Sequence, residues 1–191
     1  ILQDNRLAQH AIVVDSVSKR YSMCGARIGC LISKNKDVID TAMKFAQARL
    51  SPPTFAQIAS EAALDAPASY YTETIAKYKA RRDTLVEGLQ NIPGVKVSIP
   101  DGAFYCIAEL PVEDAEHFSK WLLDKFHIDN QTVMLAPAAG FYSSRDKGKN
   151  QVRIAYVLNR RDLSQATKIL QLALEKYQND EYRIQEVPQK V

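Results

Sequence analysis

The sequence predicts an α/β fold in two units joined by a long helix, and three observations carry this reading. Short apolar runs rich in β-branched residues, such as residues 11–14 and 151–158, have the length of strands. Stretches with apolar residues every three or four positions, residues 69–91 above all, have the period of amphipathic helices. From residue 95 onward short strands and helical stretches alternate, the pattern of a sheet covered by helices.

Residues 11–14, closed by Asp15 and Ser16, read as a buried strand. A loop runs over residues 16–25. Residues 28–32 are a second apolar segment, in which Gly29 marks a bend or a close backbone approach. Residues 35–50 read as a helix that Pro52 and Pro53 end. Thr54 is expected to cap the next helix, which reaches about Leu64, with Gln57 as its capping-box partner. The longest helix spans residues 69–91, carries Tyr70, Tyr71, Ile75, Tyr78, Leu85 and Leu89 at helical spacing, and stops at Pro93 and Gly94.

Residues 95–99 read as a strand, 100–102 as a turn and 103–109 as the partner strand. An amphipathic helix over 113–126, with Trp121 on its apolar face, leads to strands at 133–135 and 151–158 and a closing helix at 161–177. The polar tail, 178–191, is expected to be loosely held. Residues 1–82 are therefore one unit with its linking helix, and 83–191 a second, compact one. With only two apolar strands, the first unit is expected to be incomplete by itself.

Hydrophobic residues make up 46% and charged residues 25%, the balance of an ordinary globular chain. The net charge of +3 arises from 25 basic and 22 acidic residues scattered throughout, so no nucleic-acid or membrane footprint is concentrated anywhere. Cys24, Cys30 and Cys106 have no paired metal-ligand spacing and favour reduced thiols, hence a cytoplasmic setting. His10, His117 and His127 show no ligand spacing either, and no metal is expected. Residues 1–11 lack the pattern of a secretory signal, and no run approaches the roughly 18 apolar residues of a membrane span. The absence of an initiator methionine fits either ordinary processing or a segment of a longer chain.

The passage with most chemistry is Asp15-Ser-Val-Ser-Lys-Arg-Tyr-Ser-Met-Cys-Gly-Ala-Arg-Ile-Gly29. It sets two hydroxyls and a lysine just after the carboxyl end of a strand, where open α/β sheets commonly bind ligands. If the backbone stays extended, Ser16 and Ser18 face one side and Lys19 the other. Arg27 follows within reach of a folded loop, and its planar guanidinium suits a phosphate. Gly25 and Gly29 give that loop room to turn. The plain alternative is a basic surface loop.

Arg153 is a second candidate, lying in the otherwise apolar run Gln151-Val-Arg-Ile-Ala-Tyr156. A buried arginine there needs an anionic partner; an edge-strand arginine facing water needs none. Arg49 reads as a solvated cation at a helix C-terminus, with an active-site mouth or a partner subunit as the other possibility.

Taken together, Ser16-x-Ser-Lys19 followed by Gly25-x-Arg27-x-Gly29 resembles the cofactor-attachment signature of class I and II aminotransferases of the aspartate aminotransferase type. Two further stretches are similar to that family. Pro100-Asp-Gly-Ala-Phe-Tyr105 resembles its Pro-x-Gly-(Ala/Gly)-Phe-Tyr strand entry, and residues 133–141 resemble its Val-x-x-x-Pro-Gly-x-x-Phe segment, with Ala138 in place of the glycine. Phe104, Tyr105 and Phe141 read as packing rather than substrate contacts.

The resemblance covers residues 11–177 and implies the following. Pyridoxal 5'-phosphate is the cofactor, Lys19 is its Schiff-base lysine and the catalytic residue, Ser16, Ser18 and Arg27 contact its phosphate, and Arg153 binds the substrate α-carboxylate. The fold is the end of a large pyridoxal-phosphate-binding domain joined by a long helix to a small C-terminal α/β domain, in a homodimer. The activity is amino transfer between an amino acid, aspartate as first guess, and a 2-oxo acid, in amino-acid biosynthesis. The family's groups around the cofactor ring lie upstream of the lysine, so the 191 residues alone are expected to turn over little. An aminocyclopropane-carboxylate-synthase-like lyase and a non-catalytic regulatory ligand-binding domain are the other readings of the same motif.

Overall fold

In the computed structural model, which describes residues 1–144 and 146–179, the chain divides within its longest helix into two units, Ile1–Tyr70 and Tyr71–Val191. In the first unit, strand β1 (Ile12–Ser16) pairs antiparallel with β2 (Gly29–Ser33), Ile12 opposite Ser33 and Ser16 opposite Gly29. The connection holds a single helical turn, α1 (Val17–Arg20), and a 3₁₀ turn at Cys24–Ala26. The Ser33 hydroxyl donates to the Ala11 carbonyl at 2.9 Å and ties the far end of the pair. Gly29 meets the expectation of a close backbone approach, since a Cβ there would stand 3.0 Å from the Asp15 carbonyl oxygen.

Helix α2 (Lys36–Arg49) starts where the Asn35 side-chain oxygen accepts from the backbone of Asp37 and Val38, filling two donors that a first turn leaves unpaired. Helix α3 (Thr54–Ala62) follows, and here the expected cap is corrected. Pro53 occupies the cap position, Thr54 is already helical, and the Gln57 side chain donates to the Pro52 carbonyl instead of completing a capping box. Helix α4 (Ala68–Gln90) then leads into the second unit.

β1 is not the buried strand expected, for Ile12 is 51% and Val14 76% exposed. A two-stranded ribbon has no flanking strands, and nothing in this unit covers the outward face of its apolar residues.

The second unit is built on an antiparallel sheet of β3 (Lys96–Val97), β4 (Tyr105–Glu109), β5 (Ala136–Pro137) and β6 (Gln151–Ala155), in the order β3-β4-β6-β5. Helix α5 (Ala115–Lys125) is capped by the Asp114 carboxylate, which accepts from Glu116 and His117 backbone nitrogens. Helix α6 (Arg160–Asn179) ends the described chain; residues 180–191, most of the expected loose tail, lie outside the described residues.

The alternation of a strand sorts this sheet into two faces. Cys106, Ala108 and Val152 are buried with Leu85 and Leu89 of α4, Phe118 and Leu122 of α5, and Leu170 and Leu174 of α6. Tyr105, Ile107, Gln151 and Arg153 take the opposite face, by the register that pairs Ile107 with Arg153. Gly88 lets α4 approach α6, because a Cβ there would lie 2.6 to 2.9 Å from the Thr167 side chain.

The strand expected at 133–135 is displaced to Ala136–Pro137. Apolar content marked the segment, but pairing with β6 (Ala136 with Arg153, Pro137 with Val152) decides which residues form the ladder. A proline is tolerated there because β5 is an edge strand.

Candidate functional site

Ser16 closes β1 and caps α1: its backbone is extended (φ −148°), and its hydroxyl oxygen accepts from the Ser18 amide at 3.1 Å. That bond turns the chain into a helical turn, so the condition of an extended backbone over Ser16 to Lys19 is not met. The two hydroxyls nevertheless end together, with their oxygens 2.9 Å apart. The Ser16 oxygen is also 3.1 Å from the Ile28 carbonyl, which accepts from the Val17 amide as well. One hydroxyl carries one proton, so when Ser16 gives its own to Ile28, Ser18 is the donor between the two serines. Lys19 is exposed on this turn, next to Ser18.

Arg20, one of the three basic residues of the passage, is held by an acidic neighbour. Its guanidinium bonds the Asp15 carboxylate at 2.6 Å. The Ser16 amide first, and Arg20 after it, hold the Asp15 carboxyl below its ordinary value. Arg27 is exposed and donates to the Cys24 carbonyl at 2.9 Å. It takes the left-handed conformation, φ 57°, as does Ser22 with φ 55°. The turn is thus made by these two residues, whereas Gly25 sits in open space. Left-handed backbone costs a non-glycine residue on the order of 1–2 kcal/mol, and such residues gather at functional sites. The Tyr70 hydroxyl reaches Ser22 at 3.3 Å, an approach no local pattern announces.

In the second unit Arg153 lies half-buried on β6, between β4 and β5, so it is not on an edge strand. Among the described residues it makes no ion pair and no hydrogen bond; its guanidinium carbon lies over the Tyr105 ring at 4.5 Å and the Phe141 ring at 4.4 Å. The anionic partner a buried arginine calls for is thus not supplied by any described side chain, and aromatic faces lie against the cation.

The surrounding segments explain how those rings are held. The Tyr156 hydroxyl donates to the Ala103 carbonyl at 3.2 Å, and Arg82 donates to that of Pro100 at 3.0 Å, fixing the stretch before Tyr105. Phe104 turns inward beside Tyr78, ring centroids 6.0 Å apart. On the other side, the Ala138 amide donates to the Gln151 carbonyl at 2.8 Å, and the Phe141 amide to the Ala138 carbonyl at 2.9 Å. Ala138 has ordinary right-handed angles (φ −93°, ψ −10°), so the backbone here does not require glycine.

Arg49 is exposed in the last turn of α2. His117 pairs through Nδ1 with the Tyr177 hydroxyl at 2.6 Å. Among the described residues no group of three or more His, Cys, Asp or Glu side chains is placed to hold a metal, and no helix is long and apolar enough to cross a membrane.

A family model described as aminotransferase class I and II matches residues 4–170. The aspartate aminotransferase of Pyrococcus horikoshii is 30% identical over 171 residues, 87% of this chain and 42% of that protein. Among solved structures, the aspartate aminotransferase of Rhizobium meliloti aligns with a TM-score of 0.74 and 27% identity, covering 90% of this chain and 44% of that one. The α-aminoadipate aminotransferase of Thermus thermophilus, complexed with N-(5'-phosphopyridoxyl)-L-leucine, aligns with a TM-score of 0.74 over 88% of this chain and 42% of that one. At 20% identity this last likeness speaks for the fold alone. The chain spans less than half the length of each of these relatives.

Proposed function

Since the chain belongs to the class I and II aminotransferases, we propose that it serves amino transfer between an amino acid and a 2-oxo acid, with Lys19 as the catalytic residue. The observation that carries the reading is the pair of serine hydroxyls 2.9 Å apart on the turn that bears Lys19. Pyridoxal 5'-phosphate, the cofactor of this family, supplies an aldehyde that captures amines and a ring that withdraws electrons. The residues present fit it chemically. Ser16 and Ser18 offer hydroxyls whose protons can turn from Ile28 and from Ser16 toward a phosphate, and Arg27 offers a planar guanidinium with paired donors. Lys19 offers the amine that joins the aldehyde.

In this account Lys19 has two duties. Its Nζ would hold the cofactor at its aldehyde carbon, and as a free amine it would take the proton from the substrate Cα as general base and deliver it, as general acid, to that cofactor carbon, the shift that turns an amino acid into a 2-oxo acid. Ser16 and Ser18 restrain the phosphate, and Asp15 occupies Arg20, keeping that cation from competing for the same anion. Arg153 binds the substrate α-carboxylate through the donors that no described residue fills.

Aspartate remains the first-choice amino acid, supported by the names of two relatives. A homodimer in the cytoplasm, in amino-acid biosynthesis, completes the proposal; Cys24, Cys30 and Cys106 are all free thiols, in keeping with a reducing compartment. The 191 residues alone are expected to turn over little, so the test supplies the cofactor-loaded protein, with the ring-contacting groups that the family carries upstream of the lysine present, with ¹⁵N-aspartate and a 2-oxo acid. The reading expects ¹⁵N in the amino acid derived from the oxo acid. Label that stays on aspartate, or leaves as ammonia, sinks it.

A further inference from the structure

We propose that Tyr105 and Phe141 are positioning residues for Arg153, holding its guanidinium by their ring faces so that its donor edge stays open to a substrate carboxylate. The inference rests on the reading of Arg153 as a carboxylate site and adds what makes that site work.

The register explains why Tyr105 reaches the arginine. Arg153 is directly opposite Ile107 on β4 and Ala136 on β5, and Tyr105 is opposite Ala155. Tyr105 is therefore the diagonal neighbour of Arg153 on the same face, a separation that aromatic side chains span. Phe141 arrives from the other side of the chain's path, at the end of the 3₁₀ turn Ala139–Phe141 that follows β5. That turn is anchored to β6 itself, by the Ala138 amide on the Gln151 carbonyl and by the Tyr142 hydroxyl on the Gln151 side-chain oxygen at 2.7 Å. Gln151 and Arg153 share one strand, so the segment carrying Phe141 is fixed to the strand whose arginine it contacts.

The chemistry favours rings over a carboxylate for this task. An acidic side chain would consume the in-plane N–H donors and neutralise the charge a ligand is to meet. A ring face attracts the cation through its quadrupole while those donors point away in the guanidinium plane. Among the described residues they make no hydrogen bond. Restricting the long side chain beforehand also lowers the ordering cost of binding.

Three substitutions in the holoenzyme test this: Tyr105→Leu, Phe141→Leu and Arg153→Gln. The Leu variants keep apolar bulk and lose the π face. We expect each to raise KM for the amino-acid substrate roughly tenfold, the scale of one cation–π contact, with kcat changed much less. Tyr105→Phe keeps the face and is expected to bring KM back. An elevated KM in Arg153→Gln with unchanged KM in both Leu variants overturns the positioning role and leaves the Arg153 reading standing. Unchanged KM in all three overturns both.

A measurement on the unsubstituted protein covers the case in which a Leu variant does not fold. Ring currents should place the Arg153 Nε–H proton upfield of the other arginine resonances. Adding a dicarboxylate such as maleate should shift that resonance, with the upfield ring-current offset retained. An Nε–H at the ordinary arginine position overturns the inference.

Discussion

The hydroxyl oxygen of Ser16 stands 2.9 Å from that of Ser18 and 3.1 Å from the Ser18 amide nitrogen, so one serine both caps the turn and aligns its neighbour. The pair is unequal in consequence. Ser16 also reaches the Ile28 carbonyl, which joins this turn to the segment of Arg27. Ser16→Ala is expected to weaken pyridoxal 5'-phosphate binding roughly tenfold, because it removes a cap and the proposed phosphate contact together. Ser18→Ala should weaken it less. Absorbance titration of both variants with the cofactor decides the point, and an equal or inverted order speaks against the arrangement.

The close passage of α4 over α6 makes a stability prediction. A methyl group at Gly88 would press on Thr167 at under 3 Å, and Thr167 is buried. Gly88→Ala should therefore destabilise by about 1–3 kcal/mol, the usual cost of overpacking. Thr167→Ala in the same chain should recover part of the loss, because it removes the atoms that are struck. Denaturant unfolding of the two single variants and the double variant measures this coupling; purely additive losses would contradict it.

Cys106 supplies a pH dependence. Burial among the core side chains pushes its thiol up to about 11. The folded thiol keeps its proton to higher pH than the unfolded one. Its stabilising contribution is thus complete below about pH 9 and is lost as pH rises toward about 11. Unfolding free energies followed across that window should fall less steeply for Cys106→Ala than for the unsubstituted chain.

The same burial predicts selective labelling. Cys24 and Cys30 are exposed and Cys106 is not. At neutral pH, iodoacetamide should modify the first two within the time that leaves Cys106 untouched, as read by peptide masses. Fast labelling of Cys106 in the folded protein would contradict the core described above.

What is legible in the sequence divides by the range of the interactions involved. Helical periods place α4 and α6 within a residue or two of their ends, and Gly29 announces a close approach that needs no side chain. The passage Ser16 to Gly29 is readable as a candidate site because its chemistry is contiguous in sequence. Its conformation is not: an extended reading misses that Ser16 caps a turn, a choice made by one side-chain to backbone bond. The strand at Ala136–Pro137 escapes a local reading because its ladder is dictated by β6, far along the chain. Arg153 is visible as an arginine in an apolar strand. The rings over it come from two distant segments, and neither Tyr105 nor Phe141 carries a local sign of that contact.

The central claim is that Lys19 is the residue to which the cofactor attaches. Incubating the protein with pyridoxal 5'-phosphate, reducing with borohydride and mapping the peptides by mass spectrometry tests it most directly. A pyridoxyl label on Lys19, absent from Lys19→Ala, is the result expected; a label on another lysine, or one spread evenly over many, would contradict the account.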